Sequence, residues 1–222
     1  MNWNKRKALN QIYKRLFDVY GKQKWWPAKT KFEVIVGAIL TQNTNWVNVE
    51  KALDNIRAEG LLRFKALDSI AIEKLALLIK PAGYYNIKAK RLKNFIGFFS
   101  SEYQGSLKKM GSEKPDILRE KLLRVNGIGP ETADSILLYA IDVPIFVVDA
   151  YTKRIFSRHG LVKQEDDYYV IQKFFMDNLE RNGKVFNEYH ALIVKLAKEH
   201  CRVKPQCEKC PLIGLNGFEK LN

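Results

Sequence analysis

Residues 122–158 restrict the possible folds of this chain more than any other stretch, because they join two helical patterns through a short turn that contains two glycines. Apolar residues recur at helical spacing before the turn and again after it. Gly127 and Gly129 allow a tight turn with positive φ and the close approach of another backbone. Pro130 suits the first position of a helix. Taken alone, the segment is either a corner between helices or a helix N-terminus whose free N–H groups suit a phosphate.

A single carboxylate follows this turn. The apolar residues Phe146, Val147 and Val148 lead to Asp149, which stands at the start of a new helical pattern. Asp is among the best N-cap residues, so a purely structural role is one interpretation. Amide N–H groups that donate to the carboxylate would also keep it ionised among apolar neighbours. The two interpretations are compatible.

These residues carry a resemblance to a known family. The pattern V-x-G-I-G-P-x-T-A is followed, sixteen residues after Ala133, by V-V-D. This combination resembles the helix–hairpin–helix, Gly/Pro–Asp (HhH-GPD) superfamily of DNA glycosylases, in the branch of endonuclease III. The resemblance implies that Asp149 is catalytic and that the hairpin holds a monovalent cation. It also implies that the hairpin binds DNA phosphate through Asn126, Gly127, Ile128 and Gly129.

The charge balance agrees with a nucleic-acid partner. The 222 residues include 38 Lys and Arg against 24 Asp and Glu, which gives a net charge of +14. Such an excess predicts attraction to a polyanion, for which nucleic acid is the default, although a merely soluble basic protein is the alternative. No apolar run is long enough to cross a membrane. Three cysteines within ten residues indicate no disulfide framework. We therefore expect a cytoplasmic, nucleoid-associated monomer.

The periodicity predicts an all-α fold. Residues 32–40 are apolar on nearly every side, which predicts a central helix, and a capping box precedes it at Thr30 and Glu33. Residues 102–114 are polar and predict a loop. Residues 143–148 could pass for a strand, but no segment shows strong strand periodicity.

The resemblance also implies a division into two lobes. Residues 28–140 would form a helical, barrel-like lobe that includes the helix–hairpin–helix at 117–140. Residues 1–27 and 141–222 would form the second helical lobe. The hairpin and the catalytic carboxylate would then lie beside the cleft between them.

Aromatic and polar residues near the N-terminus predict a base pocket. Trp25, Trp26 and Pro27 stand together in a polar loop. They either plug the core at a helix junction or form an aromatic wall on which a base stacks. The following L-T-Q-N-T segment lines the base pocket in the family. The resemblance therefore makes Gln42 the residue that fills the gap left in the duplex, and makes Trp46 a pocket wall.

A third match with the family contains basic residues. Residues 83–92 resemble its G-x-Y-N-x-K-A-x-x-L turn and helix. The basic residues of this segment would usually form a solvated helix face. The resemblance favours a phosphate contact for Lys88, and such contacts position a protein on DNA without reading its sequence.

The C-terminal cysteines resemble the iron–sulfur loop of endonuclease III relatives. That loop holds a [4Fe–4S] cluster with four thiolates, but no cysteine occurs near Asn216, where the fourth is expected, or later. One alternative is a cluster with another ligand, for which His190 and His200 are the nearby histidines. Others are zinc on three Cys and a His, or a loop without metal. The candidate metal ligands are Cys201, Cys207 and Cys210.

One residue of the hairpin restricts which reactions the protein is expected to catalyse. Bifunctional members of the family attack the sugar with a hairpin lysine, and Glu131 occupies the matching position. A carboxylate cannot form a Schiff base, so we expect the lyase step to be lost or very weak. A glutamate in the first turn of a helix is also structurally favourable.

The expected reaction is monofunctional hydrolysis of an N-glycosidic bond in double-stranded DNA that contains a damaged base. Asp149 would stabilise the oxocarbenium-like sugar and activate water. No acid for the leaving group is evident, which favours a cationic alkylated purine. The Trp25-Trp26-Pro27 loop, the following K-F-E and L-T-Q-N-T segments and the missing lysine resemble the 3-methyladenine DNA glycosylase branch of endonuclease III relatives. This resemblance implies a substrate such as 3-methyladenine. The alternatives are a glycosylase/AP lyase that acts on oxidised pyrimidines through another amine, and a non-catalytic hairpin module that binds DNA.

Overall fold

The computed structural model describes residues 5–23, 25–26 and 28–215, and the regular secondary structure of these residues is helical. No strand occurs in these ranges, so the predicted all-α fold is confirmed. Short 3₁₀ turns lie at Lys80–Ala82 and Cys207–Lys209, and Ile136–Ala140 is a π-helical segment. The α-helices are α1 (Lys5–Tyr20), α2 (Lys31–Leu40), α3 (Trp46–Ala58), α4 (Phe64–Ser69), α5 (Ile72–Leu78), α6 (Tyr85–Tyr103), α7 (Leu107–Gly111), α8 (Pro115–Arg124), α9 (Pro130–Ser135), α10 (Ala150–Arg158), α11 (Tyr168–Asn178) and α12 (Gly183–Glu199).

The loop predicted at residues 102–114 is wrong in part. Helix α6 continues to Tyr103, and Gly105 with φ +70° follows its end. The short helix α7 then begins after Ser106, whose side chain accepts a hydrogen bond from the Lys109 N–H. An N-cap of this kind satisfies a free amide at the start of a helix, and the polar composition concealed it.

The chain divides into two compact units. The central unit comprises residues 26–143, and the terminal unit comprises the described residues of 1–25 and 144–222. No helix in the described ranges combines the length and the apolar run that a membrane span needs.

Helix α2 is the core of the central unit. Nine of its ten residues are buried, from Phe32 to Leu40, and it packs against α3, α6 and the π-helical segment. The Thr30 side chain accepts a hydrogen bond from the Glu33 N–H, as the capping box predicts. The Glu33 carboxylate accepts from the Lys29 N–H and pairs with Arg57. The helix is therefore held at its start by polar contacts and along its length by apolar burial.

Helix α12 is the central packing element of the terminal unit. It packs against α1 and α10 and buries Phe186 and Tyr189 in an aromatic core. Within that core the rings of Phe146 and Phe175 stack with centroids 3.9 Å apart. The buried Tyr189 hydroxyl donates a hydrogen bond to the Leu9 carbonyl over 2.9 Å. This packing anchors the extended segment that leads to Asp149.

Candidate active site

Asp149 caps the start of α10, as the sequence predicts. Its backbone is extended at φ −111° and ψ 179°. Its Oδ1 accepts hydrogen bonds from the Thr152 N–H over 2.7 Å and from the Thr152 hydroxyl over 2.8 Å. Phe146, Val147 and Val148 are buried just before it. The carboxylate is therefore held at the end of a fixed apolar segment.

A histidine from α12 faces the other oxygen of this carboxylate. Nε2 of His190 lies 3.4 Å from Oδ2 of Asp149, and the two side chains are only 7% and 13% exposed. The sequence suggested His190 only as a possible metal ligand. A lone histidine far along the chain from Asp149 carries no motif that would link it to that carboxylate, so sequence reasoning missed this contact.

Opposing influences set the ionisation of Asp149. Burial by itself raises the pKa of the carboxyl, because a low dielectric disfavours charge. The positive charge that His190 carries when protonated, together with the Thr152 donors, outweighs burial and lowers the pKa of Asp149 below its ordinary value. The carboxyl is therefore ionised at neutral pH, as a base or an electrostatic stabiliser must be.

The two glycines of the hairpin between α8 and α9 have different backbone conformations. Gly127 has φ +93°, which favours glycine. Gly129 is extended at φ −91° and ψ 178°, so of the two glycines Gly127 is the one that has the positive φ of the turn. A side chain at residue 129 would meet no atom within 4 Å, so the space beside this backbone is open. Pro130 is the first residue of α9, as predicted.

A side chain passes close to Gly127. A Cβ there would lie 2.2 Å from Cγ of Arg91, so a larger residue would displace this arginine. Arg91 donates a hydrogen bond to Oε1 of Gln42 over 2.5 Å. The amide nitrogen of Gln42 donates to the Gly127 carbonyl and to the Thr132 hydroxyl, each over 2.9 Å. The predicted plug residue is thus tied directly to the hairpin.

Two further contacts hold the hairpin in shape. The Asn94 side chain donates to the Asn126 carbonyl over 3.0 Å. Arg119 on α8 donates two hydrogen bonds, of 2.6 and 2.9 Å, to the carboxylate of Asp134 on α9. The Asp134 side chain is fully buried. This ion pair clips the two helices of the hairpin together.

Lys88 does not present its amine to solvent. The residue is 1% exposed, and its Nζ donates to the carbonyls of Leu40 and Ala82 over 2.8 Å each. The phosphate contact predicted for Lys88 therefore needs correction. Its amine instead satisfies the carbonyl at the end of α2, directly before the T-Q-N-T segment.

Part of the predicted base pocket forms an aromatic group in the central unit. The Trp26 ring packs against those of Trp46 and Tyr139, with centroids 5.0 Å apart in each case. A Cβ on Gly37 would lie 3.3 Å from both indoles, so this glycine lets them approach α2 closely. Tyr139 was not predicted from the sequence as a member of this group. Trp25 is half-buried in the terminal unit, and Pro27 lies outside the described residues.

Glu131 is exposed in the first turn of α9. The hairpin therefore offers a carboxylate and no amine at the position of the family's lysine.

The cysteine loop is held by arginines of α10. Nε of Arg154 donates to the Cys201 carbonyl over 2.9 Å. Nη1 of Arg158 donates to the Cys201 thiol over 3.3 Å and to the Arg202 carbonyl over 2.6 Å. Burial first, and then the nearby thiols of Cys201 and Cys207, raise the pKa of Cys210. This shift favours the protonated form of the Cys210 thiol.

The residues present do not fit a metal centre. In the described ranges no group of three or more His, Cys, Asp or Glu side chains gathers around a common point. His190 faces Asp149, and His200 is the C-cap residue of α12. Neither a [4Fe–4S] cluster nor a zinc ion finds its ligand set among these side chains.

Comparisons with known proteins agree on one family. The model of the HhH-GPD superfamily of base excision DNA repair proteins matches residues 36–181. A Methanocaldococcus jannaschii protein described as a DNA repair glycosylase is 50% identical over 214 residues, which cover 96% of this chain and 97% of that relative. Endonuclease III of Thermotoga maritima is 28% identical over 183 residues, or 81% of this chain and 79% of the relative.

Solved structures give the same picture. The 3-methyladenine DNA glycosylase MagIII of H. pylori, bound to 1,N6-ethenoadenine, matches with a TM-score of 0.76 at 30% identity, over 89% of this chain and 98% of that one. A trapped covalent intermediate of endonuclease III with DNA matches with a TM-score of 0.80 at 20% identity, over 93% of each chain. This second likeness concerns the fold alone.

Proposed function

Since this chain belongs to the HhH-GPD superfamily of base excision DNA repair proteins, we propose that it is a monofunctional glycosylase for alkylated purines. Membership of the superfamily and the relatives' descriptions support a base-excision DNA glycosylase. The substrate class, a base such as 3-methyladenine, and the absence of a lyase step are the proposal.

One observation carries the proposal: a buried, ionised Asp149 coexists with Glu131 where the lysine nucleophile of bifunctional relatives would stand. A carboxylate can stabilise a cationic sugar and accept a proton from water. It cannot form the Schiff base on which the lyase reaction depends. This combination favours hydrolysis by water alone.

The proposed reaction follows from these groups. The bond between C1′ and the base nitrogen breaks, its electron pair leaves with the base, and C1′ gains oxocarbenium character. The ionised Asp149 stabilises that charge, and a water oxygen bonds to C1′ while its proton passes to the carboxylate. The products are the free base and an intact strand with an abasic sugar.

The aromatic group supports a cationic substrate. Trp26 and Trp46 are partly exposed, and a positively charged alkylated purine gains more from stacking on such rings than a neutral base does. Such a base also departs as a neutral molecule and needs little acid catalysis. The likeness to a 3-methyladenine glycosylase at 30% identity supports the same class.

The proposed partner is double-stranded DNA that contains the damaged base. A net charge of +14 supports binding to a polyanion. Structural relatives have been solved as complexes with DNA. The open backbone at Gly129 leaves room for a phosphate beside the start of α9. The base must leave the duplex before reaction, at a cost of roughly a few kcal/mol.

The decisive experiment measures base release from methylated duplex DNA by chromatography, with strand nicking scored on the same samples. We expect 3-methyladenine release without nicking by the wild type. Asp149→Asn should abolish release and leave DNA binding intact, because it removes the charge and preserves the shape. Asp18→Asn is the matched control, since it removes an exposed carboxylate on α1 that pairs with the exposed Lys14.

Borohydride trapping separates the alternatives. A covalent protein–DNA adduct would show that another amine performs the lyase step and would replace this proposal with the endonuclease III type of reaction. DNA binding without release of any base, unchanged in Asp149→Asn, would indicate a non-catalytic module.

A further inference from the structure

His190 is a buried titratable residue for which the reaction proposed above has no role. It lies on α12, and its imidazole reaches the carboxylate that precedes α10. Both side chains belong to the terminal unit, and α12 packs directly against α10. The contact is therefore part of one packed layer.

The two oxygens of Asp149 have different partners. Oδ1 accepts both donors of Thr152, which fixes one end of the carboxylate. Nε2 of His190 lies 3.4 Å from Oδ2 and contacts the other end of the carboxylate. Rotation about the Cβ–Cγ bond would move both oxygens at once, so the Thr152 donors and the His190 contact together restrain the orientation of the group. Geometry of reacting groups matters strongly, since a misplacement of about 1 Å can cost about a hundredfold in rate.

The distance also leaves Oδ2 available for chemistry. At 3.4 Å the contact is longer than an ordinary N–H···O hydrogen bond. A carboxylate oxygen has two lone pairs, so one remains for a water molecule or for the developing charge on the sugar. By contrast, Oδ1 is already committed to two donors.

Resting on the glycosylase function proposed above, we propose that His190 is a positioning residue, which fixes the orientation of the Asp149 carboxylate for attack by water. The competing explanation is a core histidine that only fills space between α10 and α12. The two explanations differ in what its replacement does to the rate and to Asp149 itself.

The test compares His190→Ala with His190→Gln in single-turnover base release, with DNA affinity and melting temperature measured on each variant. We expect His190→Ala to lower the rate constant by about 10- to 100-fold, while DNA affinity changes little. Gln places an amide nitrogen where His has Nε2, so His190→Gln should recover most of the rate. A fall in melting temperature with an unchanged rate constant would overturn the proposal.

Tyr189→Phe is the matched control. It removes a buried hydrogen bond from the same helix, to Leu9, without touching Asp149. We expect it to lower the melting temperature and leave the rate constant within about twofold of wild type, because loss of a buried hydrogen bond affects stability. If Tyr189→Phe slowed the reaction as much as His190→Ala, the effect would belong to the helix and the inference would fail.

A titration of Asp149 by ¹³C NMR tests the contact without any substrate. Its carboxyl signal is assigned by its loss in Asp149→Asn. We expect His190→Ala to raise the pKa of Asp149, because a nearby positive charge is removed while the Thr152 donors remain. An unchanged pKa would overturn the inference even if base release were observed. Absence of release by the wild type would instead overturn the proposed function, and the NMR result would still decide the contact.

Discussion

Lys88 lies in an environment that is unusual for a lysine. Its amine is enclosed between the carbonyls of Leu40 and Ala82. Burial, and then the positive charge of Arg91, lower the pKa of Lys88 from 10.5 to about 8. The folded protein therefore holds this proton less tightly than the unfolded chain does.

A pH dependence of stability follows. Between pH 8 and pH 10.5, where the pKa values of the folded and unfolded states bound the window, the unfolded state carries more protons at this lysine. Its contribution to the free energy of unfolding consequently rises with pH across that window. We expect the stability difference between wild type and Lys88→Met to grow in favour of the wild type from pH 8 to 10.5, measured by urea denaturation.

Lys88→Met is chosen because it keeps the length of the side chain and removes the titrating group, so other lysines and tyrosines cancel in the difference. Lys90→Met, which changes an exposed neighbour on α6, is the matched control for the loss of one lysine from this helix. A constant difference for Lys88→Met would show that its amine is not perturbed.

Individual residues differ in how far the sequence predicted them. Asp149 was predicted as an N-cap because an acid between an apolar run and a helical pattern has a local signature. The phosphate contact of Lys88 was wrong because the family motif gives a residue type and no direction. Its spacing from Leu92, Phe95 and Phe99, all buried on α6, would have predicted burial. His190 could not be found, because its partner lies on another helix.

At the scale of elements, the hairpin depends on the ion pair between α8 and α9. Arg119→Met removes the arginine that pairs with the buried Asp134 carboxylate. Uncompensated buried charges are costly, so we expect a loss of about 3–5 kcal/mol in the free energy of unfolding. Urea denaturation measures it. The double variant Arg119→Met with Asp134→Leu should recover part of this loss, because it removes the stranded charge.

Arg124→Met is the matched control for this prediction. Arg124 pairs with Glu120 on the same helix at 3.7 Å, and both side chains are exposed. Surface pairs of this kind contribute about 0–1 kcal/mol. An equal loss in both variants would show that the hairpin does not depend on the buried pair.

The cysteine loop gives a second prediction at this scale. Arg154 and Arg158 hold it through protein contacts, and the described side chains gather no metal ligand set. We therefore expect treatment with a strong chelator to change the melting temperature by less than about 2 °C, whereas proteins that fold around a metal are denatured by chelators. Release of iron or zinc together with a large fall in melting temperature would contradict this expectation.

Helices were predicted more reliably than their ends and interruptions. The strongly apolar α2 and the hairpin helices follow from periodicity, because their burial repeats along one face. The short helix α4 was not predicted. Short helices such as α4 and α7 contain too few turns for a periodic signal.

At the scale of the whole molecule, the positive net charge determines how DNA affinity is expected to depend on salt. A net charge of +14 predicts that DNA binding releases counterions. For about six phosphate contacts the affinity should fall by roughly 10³-fold between 50 and 200 mM salt. Fluorescence anisotropy with a labelled duplex measures this slope, and the melting temperature over the same salt range controls for unfolding. A flat response would contradict a basic surface that faces DNA.

The length of the π-helical segment Ile136–Ala140 determines how the side chains at its end are oriented relative to the hairpin. It follows the hairpin helix directly, all five residues are buried, and it carries Tyr139 to Trp26. One residue more or fewer ahead of Tyr139 would rotate this side chain by about 100° about the helix axis. Substitutions by residues of similar size are therefore expected to be tolerated in this segment, whereas such an insertion or deletion would turn Tyr139 away from Trp26.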